Sequence, residues 1–186
     1  GGPDRSDAGE RLTPVMRQYQ ELKAKHPDTI LFFRIGDFYE TFNSDAELVA
    51  RELDIVLTSR SKSGDNRIPL AGVPYHAADG YIAKLVGKGY RVAVCEQVGD
   101  PGTSKGIVKR EISRIITPGT VIDSAMLPST AATYLMALCP EAKGLAWGIA
   151  LLDITTGEFF VSVVEHDQNL QNLLSEIARY RPAECI

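Results

Sequence analysis

The stretch Ile30-Leu31-Phe32-Phe33-Arg34-Ile35-Gly36-Asp37-Phe38-Tyr39-Glu40 joins an apolar run to a segment with an aromatic ring and a carboxylate two positions apart. The run 30–35 predicts a strand. Phe38 and Glu40 then form an unusual pair. A flat apolar ring can wedge between stacked bases, and a carboxyl group beside it can test the hydrogen-bonding edge of a displaced base. The pair therefore indicates damaged or mispaired DNA as a ligand.

The same residues also fit a purely structural alternative. Asp37 followed three residues later by Glu40 matches the acidic variant of a helix-capping box. Phe38 and Phe42, four apart, would then lie on one face of a helix and enter the core. The spacing predicts a helix over about 38–53. In this alternative the five residues 36–40 have no role beyond beginning that helix.

Helical and extended patterns alternate through the rest of the first part of the chain. Thr13 can cap a helix that begins at Pro14 and runs to about residue 25. Strands are predicted near 55–59, 68–71, 91–98 and 109–117, with a helix over about 77–88. Strands mixed with helices predict an α/β domain that ends near residue 122.

A second unit begins near residue 130. Its predicted strands lie near 133–138, 145–154 and 159–164, with a hairpin turn at 155–158 and a helix over about 169–181. Asp153 falls on a predicted strand, and a carboxylate on a strand can belong to a two-metal nuclease site. The second and third carboxylates of a two-metal site are not evident, so Asp153 is interpreted as a strand-end or turn residue.

Four further blocks give the chain a family resemblance. In order with Gly36-Asp37-Phe38-Tyr39-Glu40, they resemble the amino-terminal part of the MutS DNA mismatch-repair family from about residue 13 to the end. The Gly-Asp-Phe-Tyr-Glu form is similar to the homodimeric bacterial and archaeal type. The four blocks are Thr13-Pro14-Val15-Met16-Arg17-Gln18-Tyr19, Pro69-Leu70-Ala71-Gly72-Val73-Pro74-Tyr75-His76, Cys95-Glu96-Gln97-Val98-Gly99-Asp100-Pro101 and Thr117-Pro118-Gly119-Thr120.

The resemblance implies the domain organisation. Residues 13–122 are expected to be a mixed-sheet mismatch-recognition domain with flanking helices. Residues 130–186 are expected to be an incomplete connector domain with a ribonuclease H-like fold, joined by a linker at 123–129. Residues 1–12, which are rich in Gly and Asp and lack an initiating Met, are expected to be a disordered tail or a cloning remnant.

The resemblance also implies site residues. Phe38 matches the ring that enters the minor groove and stacks on a mispaired base, and Glu40 matches the carboxyl that contacts that base. Asp37 completes the same motif. Four of the other expected DNA contacts have structural alternatives: Leu70 in the core, His76 as a helix cap, and Lys62 and Arg67 in a solvated loop. The expected contacts are Asp37, Arg60, Lys62, Arg67, Leu70 and His76.

Charge is unevenly distributed along the chain. The net charge is -4, yet residues 59–114 carry ten Lys/Arg against five Asp/Glu, and residues 115–186 carry three against eight. A basic segment beside an acidic one suggests that only the first faces a polyanion, although a solvated surface would show the same bias.

Motifs for catalysis and cofactors are missing from the sequence. No Gly-x-x-x-x-Gly-Lys-Ser/Thr occurs, and the three cysteines and three histidines lack metal-ligand spacing, so we expect no enzyme activity, cofactor or metal in this chain. For a full-length protein the resemblance implies ATP, magnesium, a homodimer and contact with the MutL protein through the connector region. The lack of a signal peptide or membrane-spanning stretch predicts a cytoplasmic protein associated with chromosomal DNA.

Two alternative functions stay open. The acidic half could make the chain a protein-interaction module of a repair complex. A small metal-dependent nuclease is the other alternative, but Glu96-Gln97-Val98 lacks the lysine that restriction-type metal sites place after such a glutamate.

Overall fold

The computed structural model describes residues 12–60, 67–99, 108–121 and 133–186. The helices are α1 (Pro14–Lys25), α2 (Asn43–Leu53), α3 (Ala78–Gly87) and α4 (Gln171–Tyr180), and a short 3-10 helix spans Tyr75–Ala77. The strands are β1 (Thr29–Ile35), β2 (Phe38–Phe42), β3 (Thr58–Arg60), β4 (Ile68–Pro74), β5 (Arg91–Val98), β6 (Lys109–Ile116), β7 (Tyr134–Pro140), β8 (Ala146–Asp153), β9 (Glu158–Glu165) and β10 (Glu184–Cys185).

The strands form two mixed sheets, which confirms the expected α/β class. The first sheet has the order β3-β4-β2-β1-β5-β6, and the second has the order β10-β7-β8-β9. In each sheet one pair is parallel, β1 with β5 and β10 with β7, and the other pairs are antiparallel. The first helix, capped by Thr13 with Pro14 at its first position, and the strand at 91–98 have the bounds that the sequence pattern predicts.

Helices cover the two faces of the first sheet unequally. One face packs against α2 and α3, and its core includes Phe32, Tyr39, Val73 and Ile82. Among the described elements, only α1 packs on the other face, through a smaller cluster that includes Met16, Tyr19, Phe33 and Phe42. Because α1 is a single helix of 12 residues, it cannot cover the whole width of a six-stranded sheet.

The prediction of a helix from residue 38 is wrong. Residues 38–42 form β2, and α2 begins only at Asn43. The reason is tertiary pairing: β2 lies between β1 and β4 and is hydrogen-bonded on both edges, which overrides a helical pattern that depends on local spacing. Asp37 accordingly does not cap a helix. It forms with Gly36 a two-residue turn in which Gly36 has φ +57°, the geometry for which hairpins select glycine.

Residues 133–186 form the second sheet with α4 packed on one face. The core of this unit is small and includes Met136, Ile149, Leu151 and Leu173. Asp153 ends β8, where its Oδ1 accepts from the backbone and hydroxyl of Thr155 at 2.9 and 2.6 Å. The interpretation of Asp153 as a strand-end turn residue is confirmed. The short strand β10 was not predicted, since two residues carry no readable periodicity.

A turn of the first unit touches the second sheet. The backbone N–H of Gly119 donates to the Glu184 carboxylate at 3.2 Å. A Cβ at Gly119 would lie 2.9 Å from Cβ of Glu184 and 3.1 Å from the Leu135 side chain, so only glycine fits this approach without a shift. Among the described residues, no helix is both long and apolar enough to cross a membrane.

A buried carboxylate joins α1, β1 and α2. Asp45 accepts from the Tyr19 hydroxyl at 2.7 Å, the Lys23 ammonium at 2.8 Å and the Leu31 backbone N–H at 3.1 Å. Asp45 is 5% exposed, and burial raises the pKa of the Tyr19 phenol above its usual range, with the charge of Asp45 adding to the effect. One side chain thus satisfies donors from three elements and fixes α1 against the sheet.

Asp45→Ala is expected to destabilise the chain by about 2–4 kcal/mol, because it removes the acceptor of the buried Leu31 N–H and one acceptor each of the Tyr19 hydroxyl and the Lys23 ammonium. Chemical denaturation followed by circular dichroism measures the change. Glu47→Ala, which removes an exposed carboxylate of the same helix, is the control and should change the unfolding free energy by less than about 0.5 kcal/mol. Equal losses in the two variants would contradict the role of Asp45.

Candidate nucleic-acid interface

Phe38 is an exposed ring on the face of the sheet that α1 leaves open. Side chains of a strand alternate between faces, so Phe38, Glu40 and Phe42 point to the α1 side. Phe42 is fully buried beneath α1, whereas Phe38 at the other end of β2 is 47% exposed. The alternative in which both rings enter the core is therefore wrong for Phe38. An exposed phenylalanine beside a tight turn is available to a ligand.

Glu40 lies two residues further along the same face, between Phe33 of β1 and Gly72 of β4. Its side chain is 20% exposed. The Oε2 atom is buried and has no hydrogen-bond partner among the described residues, although Nη1 of Arg60 lies 3.5 Å away as an ion pair. A carboxylate oxygen in this state has unused capacity to accept or share a proton.

Arg110 of β6 is a further cation near Glu40, and the sequence did not single it out. Its guanidinium lies 5.3 Å from the centre of the Phe33 ring. Its Nε donates to the Arg34 carbonyl at 2.6 Å, and its Nη1 donates to the Val108 carbonyl at 2.8 Å. Because Phe33 is the β1 partner of Glu40, Arg110 stands over the residue next to the carboxylate.

The ionisation of Glu40 is set by opposing effects. Burial raises the pKa of the Glu40 carboxyl, while the positive charges of Arg60 and Arg110 act in the opposite direction. The net direction is upward, so desolvation outweighs the two arginines. Glu40 consequently takes up a proton more readily than an exposed glutamate.

Gly72 leaves space between the ring and the carboxylate. A Cβ at this position would lie 3.6 Å from Cγ of Glu40 and 3.8 Å from the Phe38 ring, so a side chain here would cover both. Leu70, the next residue of β4 on this face, pairs with Phe42 and is partly buried against the α1 cluster. Leu70 thus belongs partly to the core and partly to the rim of the open face.

The other predicted residues are distributed around this surface. Arg60 is brought to Glu40 by the ion pair, and Asp37 is exposed in the turn before Phe38. His76 is exposed on the 3-10 helix and stacks edge-on against Tyr75, so it does not begin a helix as a side-chain cap. Arg67 is exposed just before β4, and Lys62 lies outside the described residues.

Sequence reasoning missed Arg110, Gly72 and the pair Arg34 and Tyr75 behind the turn. Arg34 did carry a signal, as a charged residue inside an otherwise apolar strand. Arg110 and Gly72 carried none, because their position depends on the order of strands that are distant in sequence. Across residues 12–60, 67–99, 108–121 and 133–186, no three His, Cys, Asp or Glu side chains gather as a metal site would require.

Comparison with known proteins gives two consecutive family matches. Residues 13–125 match the model of MutS domain I, and residues 133–186 match that of MutS domain II. Residues 36–40 and the open face of the first sheet thus fall inside the domain I match.

Individual relatives agree with these matches. The DNA mismatch repair protein MutS of Methanosarcina mazei is 50% identical over 95% of this chain and 21% of its own length. The proteins of the same name from Acetivibrio thermocellus and Pelotomaculum thermopropionicum are 50% and 53% identical, over 94% and 92% of this chain and 20% of their own lengths. The chain spans about a fifth of the length of the curated relatives it matches. With a domain I match over more than half of its residues, the chain belongs to the MutS family.

Proposed function

We propose that this chain recognises mispaired or unpaired bases in double-stranded DNA, with Phe38 inserted from the minor groove and Glu40 in contact with the displaced base. The observation that carries the proposal is the exposed Phe38 ring beside the buried Glu40 Oε2, which has no hydrogen-bond partner among the described residues, on the open face of the first sheet. The mismatch-repair names of the relatives support the choice of ligand.

Wedge insertion suits a protein that must find many different mismatches. Inserting a ring costs a few kcal/mol of unstacking per base step, and this cost is lower where pairing is already imperfect. Stacking returns roughly 1–3 kcal/mol per base whatever the base is. Discrimination then comes from the ease of deforming the DNA and not from a base sequence.

Glu40 adds a hydrogen bond that depends on its protonation state. An ionised carboxylate only accepts, so it could receive a thymine N3–H directly. A purine N7 is an acceptor and requires a protonated Glu40. Burial already raises the pKa of Glu40, and nearby phosphates would raise it further. Glu40 can therefore hydrogen-bond a displaced base that donates and a displaced base that accepts.

Basic residues around the open face would hold the DNA backbone. Arg60 is 45% exposed in its side chain and pairs with Glu40 through a single 3.5 Å contact, so it can turn to a phosphate. Arg67 is proposed as a phosphate contact in the same region, with Leu70, Asp37 and His76 at the rim. Lys62, which lies outside the described residues, is proposed as a further phosphate contact. Such contacts position the duplex without reading its sequence.

A second candidate function is protein contact by the second unit. Phe159, Val161 and Val163 alternate along β9 on the face opposite α4, with exposures of 62%, 72% and 74%. Exposed apolar rows of this kind are typical of interaction surfaces. The family resemblance points to the MutL protein as the partner and to a homodimer of the full-length protein. ATP and magnesium are proposed for that longer protein, and no residue of this chain is assigned to them.

Replacing the wedge ring should abolish the preference for mismatched DNA. Phe38→Ala removes the stacking of one base, so affinity for a G·T duplex is expected to fall about 5- to 100-fold, with affinity for the matched duplex unchanged. Fluorescence anisotropy at low salt measures both. Phe159→Ala removes another exposed ring and should leave DNA binding intact. Arg67→Ala should weaken the binding of both duplexes alike, with a shallower dependence of affinity on salt. A mismatch preference that survives in Phe38→Ala would contradict the insertion of Phe38 into the DNA.

Two substitutions at Glu40 separate hydrogen bonding from charge. Glu40→Gln can donate without a proton, so it is expected to lose less mismatch discrimination than Glu40→Ala, which can neither donate nor accept. Competition between heteroduplex and homoduplex DNA measures the difference. Equal losses from both substitutions would contradict a hydrogen bond from Glu40 to the base.

The raised pKa of Glu40 also predicts a pH effect on stability. The folded chain holds this proton more tightly than the unfolded chain, so the contribution of Glu40 to the unfolding free energy falls as pH rises from about 4.5 through the raised pKa. Glu40→Gln should therefore be more stable than the native chain at neutral pH, and the gap should close at acidic pH. Denaturation at several pH values measures this, with Glu47→Gln as a control for removing one negative charge. A gap that does not vary with pH would argue against it.

A further inference from the structure

Arg34 lies on the face of the sheet opposite Phe38 and reaches three segments. Its guanidinium carbon is 4.0 Å from the centre of the Tyr75 ring and 5.6 Å from that of Tyr39. Its Nε also donates to the Gly36 carbonyl at 2.5 Å, across the turn. A single side chain therefore contacts the turn before Phe38, the strand that carries Phe38 and the segment that follows β4.

Tyr75 is attached to the same turn by its main chain. Its backbone N–H donates to the Asp37 carbonyl at 2.9 Å, directly beyond the last β2–β4 pair, Phe38 with Pro74. Its ring is 47% exposed, so the Arg34 contact is made at the surface and not in the core. Tyr39 in turn donates to the Glu96 carboxylate of β5, which ties β2 to β5 across β1.

We infer that Arg34 and Tyr75 are positioning residues that clamp the Gly36-Asp37 turn and hold Phe38 ready for insertion. This inference rests on the proposed function. The turn residues and Phe38 are exposed, and a loose turn would have to be ordered when the ring enters DNA, at a cost in affinity. In the proposed function the ring is inserted only into mismatched DNA, so we expect the clamp to affect the binding of mismatched DNA alone.

The stacking geometry dictates which substitutions the clamp tolerates. A planar guanidinium stacks on an aromatic face better than a lysine ammonium does, so Arg34→Lys should be intermediate between the native chain and Arg34→Ala. Tyr75→Phe keeps the ring and should retain the function that Tyr75→Ala loses. Because Tyr75 acts through its contact with Arg34, the double Ala variant should be no worse than Arg34→Ala alone.

DNA binding is the first test. With G·T and matched duplexes in fluorescence anisotropy, Arg34→Ala and Tyr75→Ala are each expected to lower the mismatch preference about fivefold, the worth of one exposed cation–π contact. Tyr75→Phe should keep the preference. Lys84→Ala is the matched control, since Lys84 lies 5.7 Å from the Tyr81 ring in another cation–π pair. Equal weakening of both duplexes with a shallower salt slope would instead make Arg34 a phosphate contact and overturn the clamp.

Hydrogen exchange of the Tyr75 amide, measured by NMR without DNA, is the second test and does not depend on the proposed function. Exchange should be about fivefold faster in Arg34→Ala, partly faster in Arg34→Lys, and unchanged in Phe38→Ala and Lys84→Ala. Unchanged exchange in both Arg34 variants overturns the clamp, even if the native chain prefers mismatched DNA. If Phe38→Ala abolishes the preference for mismatched DNA and Arg34→Ala does not, the proposed function is supported and the positioning role of Arg34 is contradicted. If the native chain shows no preference, the proposed function fails and the role of the clamp in insertion falls with it.

Discussion

Strand β2 is hydrogen-bonded along both edges, to β1 and to β4, and this double pairing determines the direction of every side chain it carries. Tyr39 and Thr41 enter the core beneath α2 and α3, so Phe38, Glu40 and Phe42 must face the other way. Of these three side chains, Phe42 is the one that α1 buries. The open surface that holds Phe38 and Glu40 is thus a direct result of the alternation of a strand and the limited width of one helix.

The end of β1 is braced from both sides of the sheet. On the open side Arg110 donates to the Arg34 carbonyl, and on the other side the Arg34 side chain reaches Gly36 and Tyr75. The parallel pairing of β1 with β5 ends at Phe33 and Cys95, so the Arg34 carbonyl has no ladder partner there and Arg110 supplies one. The same arginine lends positive charge to the surroundings of Glu40, which links the rigidity of the hairpin to the electrostatics of the site.

Local patterns in the sequence predicted the elements whose signals are local. The helix α1 with its Thr13 cap, the strand β5 and the turn residue Asp153 follow from capping, periodicity and turn chemistry over a few residues. The prediction of a helix from residue 38 failed because a helical spacing of aromatic residues is also compatible with a strand. Only pairing with β1 and β4 decides between the two structures. The motif at 36–40 located the ring and the carboxylate. Arg110 is brought near Glu40 by the order of strands in the sheet, which no short window of sequence contains.

The braces of the hairpin lie far downstream of it in the chain. Tyr39 is tied to Glu96, 57 residues later, and the Arg34 carbonyl to Arg110, 76 residues later. A two-residue hairpin forms in about 1–10 μs, whereas contacts across such separations must first close a long loop. During synthesis the turn that carries Phe38 therefore emerges well before the residues that hold it rigid. The hairpin can therefore pair early, whereas its contacts with Glu96 and Arg110 can form only after those residues have been synthesised.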